Sequence, residues 1–255
     1  MFIDTHAHLT DKAFQGEVDE IIKLSNEMGV EKIITSGFNL SSSFDACCLA
    51  ERYKNVYASI GFYPENITEL NDETYQELYK LSKREKVVAI GEIGLQYTEG
   101  CQDKEKQKEG FLKQLQLAHE IGKPIIIHCR DAYGDMMELL KKNKNLLSYG
   151  GTFHCYCGSS EIAKEAIKLG LHISVGGVST FKNAEKLKET IKNIPLEKLL
   201  LETDCPYLTP HPFRGKRNSP AYIPTIAENL ASLKGAKVDE IAKVTSENAR
   251  RLFNI

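Results

Sequence analysis

The chain has 255 residues, of which 42% are hydrophobic and 27% charged, and its formal net charge is −2. This composition is typical of a soluble globular protein and excludes a disordered or fibrous chain. The small net charge gives no global basic field, so any affinity for nucleic acid must come from a local patch.

The first predicted strand covers residues 2–9 and contains His6 and His8. Because side chains alternate between the two faces of a strand, Asp4, His6 and His8 are predicted to share one face. Three polar side chains on one face of a buried strand cost free energy unless something binds them. The pair indicates either a metal site or two hydrogen-bonded histidines near the surface, and by itself it does not decide between them.

Seven more apolar runs follow in chain order, and a helical pattern separates each run from the next. The runs span residues 31–38, 56–62, 87–95, 124–129, 151–156, 171–177 and 198–204. Most of them are almost continuously apolar, as strands buried on both faces of a parallel sheet should be. The clearest helical pattern covers residues 103–121, and a final helix is predicted over residues 238–253.

Eight strand–helix units in a chain of about 250 residues predict an α/β fold, the TIM (β/α)8 barrel. A doubly wound open sheet is the alternative, but it more often has a glycine-rich phosphate loop after its first strand, where this chain reads THAHLT. No repeat, low-complexity segment or linker interrupts the pattern. Residues 1–255 are therefore predicted to form a single domain.

Six side chains with nitrogen or oxygen ligand atoms are predicted near the carboxyl ends of strands, where the active sites of TIM barrels lie. They are His6, His8, Glu92, His128, His154 and Asp204. A lone histidine in such a position is usually structural, but six placements at one face rarely arise by chance. Four imidazoles and two carboxylates suit two metal ions rather than one. Of the other histidines, His119 and His172 are predicted to be structural, and His211 stays undecided.

The cysteines suggest an alternative for the same region, a structural zinc bound by cysteines, which the pattern makes improbable. Cys129, Cys155 and Cys205 each follow a predicted ligand directly, so alternation along the strand should turn them away from the ligand face. We expect them to pack as small hydrophobic side chains. The seven cysteines form no repeating C-x-x-C pattern, which indicates reduced thiols. With no export signal or membrane-spanning run, the sequence predicts a cytoplasmic protein without a membrane or obligate protein partner.

Five motifs stand out along the chain: DTHAHL, GEIGL, IIIHCR, GTFHCYCGS and LLLETDCPYLTPHPFRGKRNSPAY. They resemble the successive motifs of the TatD family of metal-dependent deoxyribonucleases, and the resemblance extends to the terminal SENARRLF. It implies a barrel of the metal-dependent hydrolase superfamily that cleaves DNA phosphodiester bonds, and it places the metal ligands on the same six residues. The family commonly reads GEIGLD, whereas this chain has Gln96 in place of the acid.

The expected site holds two divalent ions that share one carboxylate: His6, His8 and Asp204 on one ion, His128 and His154 on the other, and Glu92 between them. Such a pair of ions, about 3.5–4 Å apart, can clamp the attacking and leaving oxygens of a phosphodiester. Asp204 is expected to be the general base. Asp4 and Glu202 are expected to orient ligating imidazoles through their outer N–H groups.

The identity of the ions stays open among zinc, manganese and magnesium. Four imidazoles favour zinc, manganese or another transition ion, because magnesium prefers oxygen ligands. The resemblance points the other way, since the TatD family is usually described as magnesium-dependent. A site that accepts several divalent ions reconciles the two.

The substrate is predicted from residues 205–225, which contain five of the chain's eight prolines and no acidic residue. Prolines stiffen a loop by fixing φ. The loop carries Arg214, Lys216 and Arg217, and Tyr207 is among its aromatic residues. Cations interleaved with rings suit the backbone and bases of single-stranded nucleic acid, so single-stranded DNA or DNA ends are the expected substrate. The alternative is a rigid surface loop with solvated charges.

The leading interpretation is a metal-dependent deoxyribonuclease that digests DNA from an end. A metal-dependent amidohydrolase or esterase, acting on a small molecule or an aminoacyl-tRNA ester, could use the same ions, because fold does not determine the substrate. A non-catalytic nucleic-acid-binding protein is the third interpretation, and the complete ligand set argues against it.

Overall fold

The computed structural model describes residues 1–255, and eight parallel strands form a single sheet in the order β1 to β8. The strands are β1 Phe2–Ala7, β2 Val30–Ser36, β3 Val56–Ile60, β4 Val87–Gln96, β5 Ile125–Arg130, β6 Gly151–Phe153, β7 Leu171–Val175 and β8 Leu199–Leu201. Beyond β8 the chain meets β1 again: the Asp204 N–H donates to His6 O at 2.9 Å, and the His8 N–H donates to Cys205 O at 2.8 Å. The sheet is a nearly closed barrel, and the predicted TIM-barrel fold is confirmed.

An α-helix follows every strand, and a ninth helix ends the chain. The helices are α1 Val18–Glu27, α2 Leu40–Arg52, α3 Asp72–Ser82, α4 Lys104–Ile121, α5 Tyr133–Lys142, α6 Ser160–Lys168, α7 Glu185–Asn193, α8 Ile223–Lys234 and α9 Val238–Phe253. Local sequence sets several ends. Asn39 begins α2 by accepting from the Ser42 N–H at 2.9 Å in a capping box. Gly122 ends α4 with a φ of +73°, a conformation that glycine adopts at low cost.

Two apolar clusters support the barrel. The main core packs the strands against the surrounding helices and includes the predicted α4 stripe of Phe111, Leu115 and Ala118, which are buried. A smaller cluster joins side chains of β1, β2, β4, β5 and β8 to Ala249 and Phe253 of α9. Because these strands lie on different sides of the barrel, the second cluster fills its interior, and α9 packs against it. The opposite, carboxyl end of the barrel is left for polar groups.

Six strands end two or three residues earlier than the apolar pattern predicts, and the difference is largest for β6 and β8. The sixth predicted strand reaches residue 156 and the eighth reaches residue 204, whereas β6 ends at Phe153 and β8 at Leu201. Cys155 and Asp204 have φ of +43° and +57°, in the left-handed region that β-strands do not use. His154 and Asp204 therefore lie in the loops just beyond their strands.

All seven cysteines are free thiols. Cys129 and Cys205 pack in the main core, as predicted. Cys155 does not, because its left-handed backbone breaks the alternation on which that prediction depended. None of the helices combines the length and apolar character needed to cross a bilayer.

Candidate metal centre

The predicted ligands meet at the carboxyl end of the barrel, around the carboxylate of Glu92. Its Oε1 lies 2.8 Å from His128 Nδ1 and 2.8 Å from His154 Nε2. Its Oε2 lies 3.4 Å from His6 Nε2 and 3.5 Å from His8 Nε2. One oxygen of a single buried carboxylate thus faces each histidine pair.

Asp204 completes the group around the first pair. Its Oδ1 lies 3.5 Å from His6 Nε2 and 3.3 Å from His8 Nε2, and those two nitrogens are 3.2 Å apart. Two triplets have all their ligand atoms within 4.8 Å of one another: His6, His8 and Asp204, and His6, Glu92 and His154. The six side chains form one continuous cluster, in which more than one group of three side chains could hold a metal ion.

The other ring nitrogen of three imidazoles has a partner of its own. His8 Nδ1 lies 3.1 Å from Ser36 O, and His6 Nδ1 lies 3.0 Å from Ser36 Oγ. His128 Nε2 lies 3.1 Å from Gln96 Oε1. A carbonyl oxygen only accepts, so His8 donates through Nδ1, and Nε2 is the nitrogen that can bind a metal ion once it has lost its hydrogen. Lone pairs directed inward together with carboxylates make a donor set that fits divalent cations.

Burial and neighbouring groups shift the pKa values at the centre. Burial lowers the pKa of His6 to about 4, so its imidazole is neutral at pH 7. For Glu92, burial opposes ionisation, but the charge of His154 and the imidazole hydrogen bonds outweigh it and hold the pKa well below its ordinary value. For Asp204 burial is likewise outweighed, by the His8 hydrogen bond and nearby imidazole charges, and its pKa is lowered. These are the protonation states that bind a metal ion.

His154 shows that the centre favours positive charge. Burial lowers its pKa, but the charges of Glu92, Glu202 and Asp204 outweigh burial and raise it to about 10. A proton is therefore held between the carboxylates when no other cation is there. A metal ion that binds at this position must displace that proton, which makes metal affinity depend on pH.

Asp4 differs from its prediction. Its carboxylate accepts from the Thr203 N–H at 3.0 Å and from the Thr203 hydroxyl at 2.5 Å, rather than from an imidazole. The pairing of β1 with β2 shifts register between Asp4 and Ala7, which interrupts the alternation that placed Asp4 beside the histidines. Asp4 instead fixes the residue that precedes Asp204.

Glu202 lies beside His154 without a direct hydrogen bond to it. Its Oε1 is 3.9 Å from His154 Nδ1 and accepts from the Cys155 N–H. Glu202 Oε2 and His154 Nδ1 have no hydrogen-bond partner in the protein. Burial raises the pKa of Glu202 to about 8. Its predicted role in orienting His154 stays a prediction.

Two residues at the centre were missed in the sequence. Ser36 ends β2 beside His6 and His8. Tyr63 follows β3, and its ring packs edge-on against His128, with ring centroids 4.6 Å apart. Both residues stand at carboxyl ends of strands, so a polar side chain at such a position was the available signal. Neither serine nor tyrosine is among the side chains from which a metal site is usually predicted.

The remaining histidines lie outside the cluster. His119 packs against Tyr149, with ring centroids 6.1 Å apart. His172 is on β7, and burial lowers its pKa to about 4. His211 is exposed, and its backbone N–H donates to Thr180 Oγ1 at 2.8 Å.

Tyr207 reaches the centre from the loop after β8. Its ring is 53% exposed and its centroid lies 6.2 Å from that of His8. The hydroxyl donates to Asp11 Oδ2 at 2.7 Å. The loop's other rings, Phe213 and Tyr222, stack on each other with centroids 4.7 Å apart. Tyr207 is therefore the ring of this loop that is both exposed and close to a predicted ligand.

The three predicted cations of this loop differ in their contacts. Arg214 is exposed and its guanidinium lies over the ring of Phe181, 3.8 Å from the centroid. Arg217 pairs with Glu17 at 2.5 Å. Lys216 is exposed and forms no ion pair. Arg217 therefore joins the loop to the segment after β1 through an ion pair, and the charged amine of Lys216 has no acidic partner.

The family model described as TatD-related DNase matches residues 3–254. The chain belongs to this family. A relative from Bacillus subtilis, the metal-dependent hydrolase YabD, is 46% identical over 255 residues and covers 100% of both chains. The 3′-5′ ssDNA/RNA exonuclease TatD of Klebsiella pneumoniae is 34% identical, covering 99% of this chain and 97% of its own. The predicted TatD-type metal-dependent hydrolase is confirmed.

A solved structure agrees with this membership of the TatD family. The crystal structure of YjjV, a TatD homologue from Escherichia coli, superimposes with a TM-score of 0.93 and 33% identity, covering 100% of this chain and 98% of that one. The similarity therefore extends over the whole barrel, including every strand end that carries a residue of the cluster.

Proposed function

We propose that this TatD-family enzyme is a nuclease that uses two divalent cations to hydrolyse single-stranded DNA or RNA from the 3′ end. The observation that carries the proposal is Glu92, with one carboxylate oxygen facing each histidine pair. Relatives from Klebsiella pneumoniae and Edwardsiella piscicida, 34% and 33% identical, are 3′-5′ ssDNA/RNA exonucleases. The proposed substrate and the proposed 3′-to-5′ direction of digestion are taken from these relatives.

The ligands divide between two positions that share Glu92: His6, His8 and Asp204 surround one, and His128 and His154 surround the other. Two bound cations would supply positive charge that neutralises phosphoryl oxygens and makes a water more acidic. The imidazole-rich set favours zinc or manganese, and magnesium is the less favoured candidate.

Asp204 is the proposed proton acceptor. Its side chain is 14% exposed, against 5% for Glu92, so it is the more accessible carboxylate of the cluster. Its lowered pKa keeps it ionised at neutral pH. An ionised carboxylate at the mouth of the centre can take the proton of a water that attacks phosphorus.

Tyr207 and the loop cations are the proposed substrate contacts. The exposed ring of Tyr207 offers a face on which a base can stack, close to His8. Lys216 and Arg214 present exposed charges for the phosphates that follow. Arg217 contributes by holding the loop in place through Glu17, in addition to any phosphate contact.

The proposal is tested with purified protein and single-stranded oligonucleotides labelled at the 5′ end, in DNA and RNA versions, with manganese, magnesium or zinc. We expect products that shorten stepwise, inhibition by a chelator, and protection by a 3′-terminal phosphate. The Asp204→Asn variant controls for a contaminating nuclease. Intact oligonucleotides under every condition, together with cleavage of a carboxylic ester or lactone that Asp204→Asn abolishes, would move the assignment to a small-molecule esterase.

A further inference from the structure

Arg130 stands at the mouth of the centre, outside the six predicted ligands and outside the loop after β8. We propose that Arg130 is a further substrate-binding residue, whose guanidinium binds the non-bridging oxygens of the scissile phosphate. The proposal rests on the proposed function, because it names the side chain that holds the phosphate in that reaction.

The strand places Arg130 above His128. β5 ends at Arg130, and the two residues are two positions apart on it. Because side chains alternate along a strand, the two share a face, and Cys129 between them packs in the main core. Two residues of a parallel strand advance about 6.6 Å. Arg130 therefore lies nearer the open end of the barrel, and it is exposed where His128 is only partly so.

The neighbouring strand supports this placement. Arg130 pairs in register with Gln96 of β4, and its carbonyl oxygen accepts from the Tyr97 N–H at 3.0 Å. Gln96 Oε1 lies 3.1 Å from His128 Nε2, so the side chains of both strands turn toward the centre at this level.

The charge of Arg130 reaches the surroundings of His128. Burial raises the pKa of Tyr63, and the charge of Arg130 opposes that rise, so the guanidinium is within electrostatic range of the tyrosine. The ring of Tyr63 packs edge-on against His128, with centroids 4.6 Å apart. A cation thus stands beside the second of the two proposed metal positions.

Arg130 is the arginine of this chain that has no partner. The other six each contact a carboxylate, an amide or a ring: Arg52, Arg84, Arg214, Arg217, Arg250 and Arg251. Arg130 forms no ion pair, no side-chain hydrogen bond and no contact with a ring. Asp131 follows it with a φ of +53°, which ends the strand, and no ion pair joins the two. All five N–H groups of Arg130 are therefore available to an anion.

A guanidinium suits the group that the centre is proposed to cleave. Its planar fork donates two parallel N–H bonds to a phosphate, and it stays charged at every working pH. β5 and β8 are three strands apart in an eight-stranded barrel, so Arg130 and the loop with Lys216 stand on different sides of the centre. A phosphate over the centre can contact Arg130 while Lys216 contacts a phosphate farther along the chain.

The role is tested with Arg130→Gln, which removes the charge, and Arg130→Lys, which keeps it. The substrates are a single-stranded oligonucleotide and a small chromogenic phosphodiester, with manganese. We expect Arg130→Gln to lower kcat/KM by about 10–100-fold for both, the contribution of charge-assisted hydrogen bonds, and Arg130→Lys to restore part of the loss. A residue that touches only distant phosphates would spare the small substrate.

Arg52→Gln is the matched control. Arg52 is also an exposed arginine, with a side chain 65% exposed, but it ends α2, where the chain enters β3 at the other end of the barrel. The control loses the same charge and should leave both rates unchanged. Calorimetric titration with inorganic phosphate in the presence of magnesium is the second readout. Arg130→Gln should bind phosphate about 10–100-fold more weakly, with an unchanged content of bound metal.

Unchanged cleavage of the small phosphodiester together with unchanged phosphate affinity in Arg130→Gln would overturn the proposal. A loss of bound metal in that variant would overturn it too, since the residue would then act on the ions rather than on the phosphate. If the wild type cleaves neither phosphodiester, the proposed function fails. Phosphate binding that weakens in Arg130→Gln but not in Arg52→Gln would in that case still support Arg130 as a phosphate ligand.

Discussion

Glu92 is the residue on which both halves of the proposed centre depend. It is 4% exposed, and each of its oxygens faces a different histidine pair. Glu92→Gln keeps the shape but removes the charge. We expect a loss of metal affinity greater than the roughly 10–100-fold that an outer partner contributes, and a matching loss of activity. Metal analysis by mass spectrometry and circular dichroism of the same sample check this. Two tightly held ions in the folded variant would rule out the bridging role.

Asp204 allows catalysis and binding to be separated. Asn keeps one oxygen for an ion but cannot accept a proton. Asp204→Asn should lower kcat by about 10²–10⁴-fold, the usual contribution of a general base, with a much smaller change in KM. Steady-state kinetics with an end-labelled oligonucleotide measure the two constants. A near-native kcat with a raised KM would leave Asp204 as a ligand or a positioning group and rule out its role as the base.

The residues of the centre were only partly predictable. All six predicted ligands lie together because a parallel barrel brings the carboxyl ends of its strands to one face, which is a property of the fold rather than of local sequence. Asp4 was misplaced because the register shift in β1 leaves no mark in the sequence. Ser36 and Tyr63 contribute geometry rather than metal-binding chemistry, so residue type alone did not identify them.

At the scale of elements, it was predictable that each strand and helix exists, but not at which residue it ends. All eight strands and the helix after each were read from apolar periodicity. The predicted ends of β6 and β8 were too late, because Cys155 and Asp204 lie in sequences suitable for a strand but have a left-handed backbone in the folded chain. Asp204, for instance, is held by its backbone bond to His6 across the barrel. The periodicity of apolar residues indicates which side chains are buried, but it contains no information about such long-range hydrogen bonds.

The loop after β8 can be tested through its free charge. Lys216→Ala should weaken oligonucleotide binding at low salt and reduce the slope of log K against log salt by about 1, the contribution of one phosphate contact. Cleavage of a small chromogenic phosphodiester, which does not extend to the loop, should be unchanged. Glu17→Gln is a useful comparison, because it releases Arg217 without removing a positive charge. An unaltered salt slope in Lys216→Ala would remove Lys216 from the nucleic-acid path.

At the scale of the whole molecule, His172 links stability to pH. Burial and the nearby charge of Lys198 lower its pKa to about 4, below the ordinary 6.5. The unfolded chain therefore binds the proton first as pH falls, and the contribution of neutral His172 to stability is lost between about pH 6.5 and 4. Between pH 7 and pH 4, the free energy of unfolding of His172→Gln should fall by about 1–3 kcal/mol less than that of the wild type. Urea unfolding with a chelator present measures this, and parallel pH profiles would contradict it.

Metal binding should stabilise the whole barrel, because the proposed ligands come from widely separated parts of the chain. His6 and Asp204 are 198 positions apart, yet their side chains would share one ion with a nitrogen–oxygen distance of 3.5 Å. An ion that binds only the folded chain stabilises it by about 2.7 kcal/mol at a free concentration 100 times its Kd. For a domain of this size that corresponds to roughly 5–10 °C in Tm.

We therefore expect Tm to rise by about this amount as manganese is added to the metal-free protein, and to return when a chelator is added. The rise should follow the metal concentration, since linkage depends on mass action. Glu92→Gln should show a much smaller rise, because it loses the carboxylate that both positions share. Gln114→Leu should show the full rise, because Gln114 is buried in α4, bonds only Phe62 and Gly110, and makes no contact with the centre. A Tm that does not respond to manganese, zinc or magnesium in the wild type would mean that the six side chains do not bind these ions.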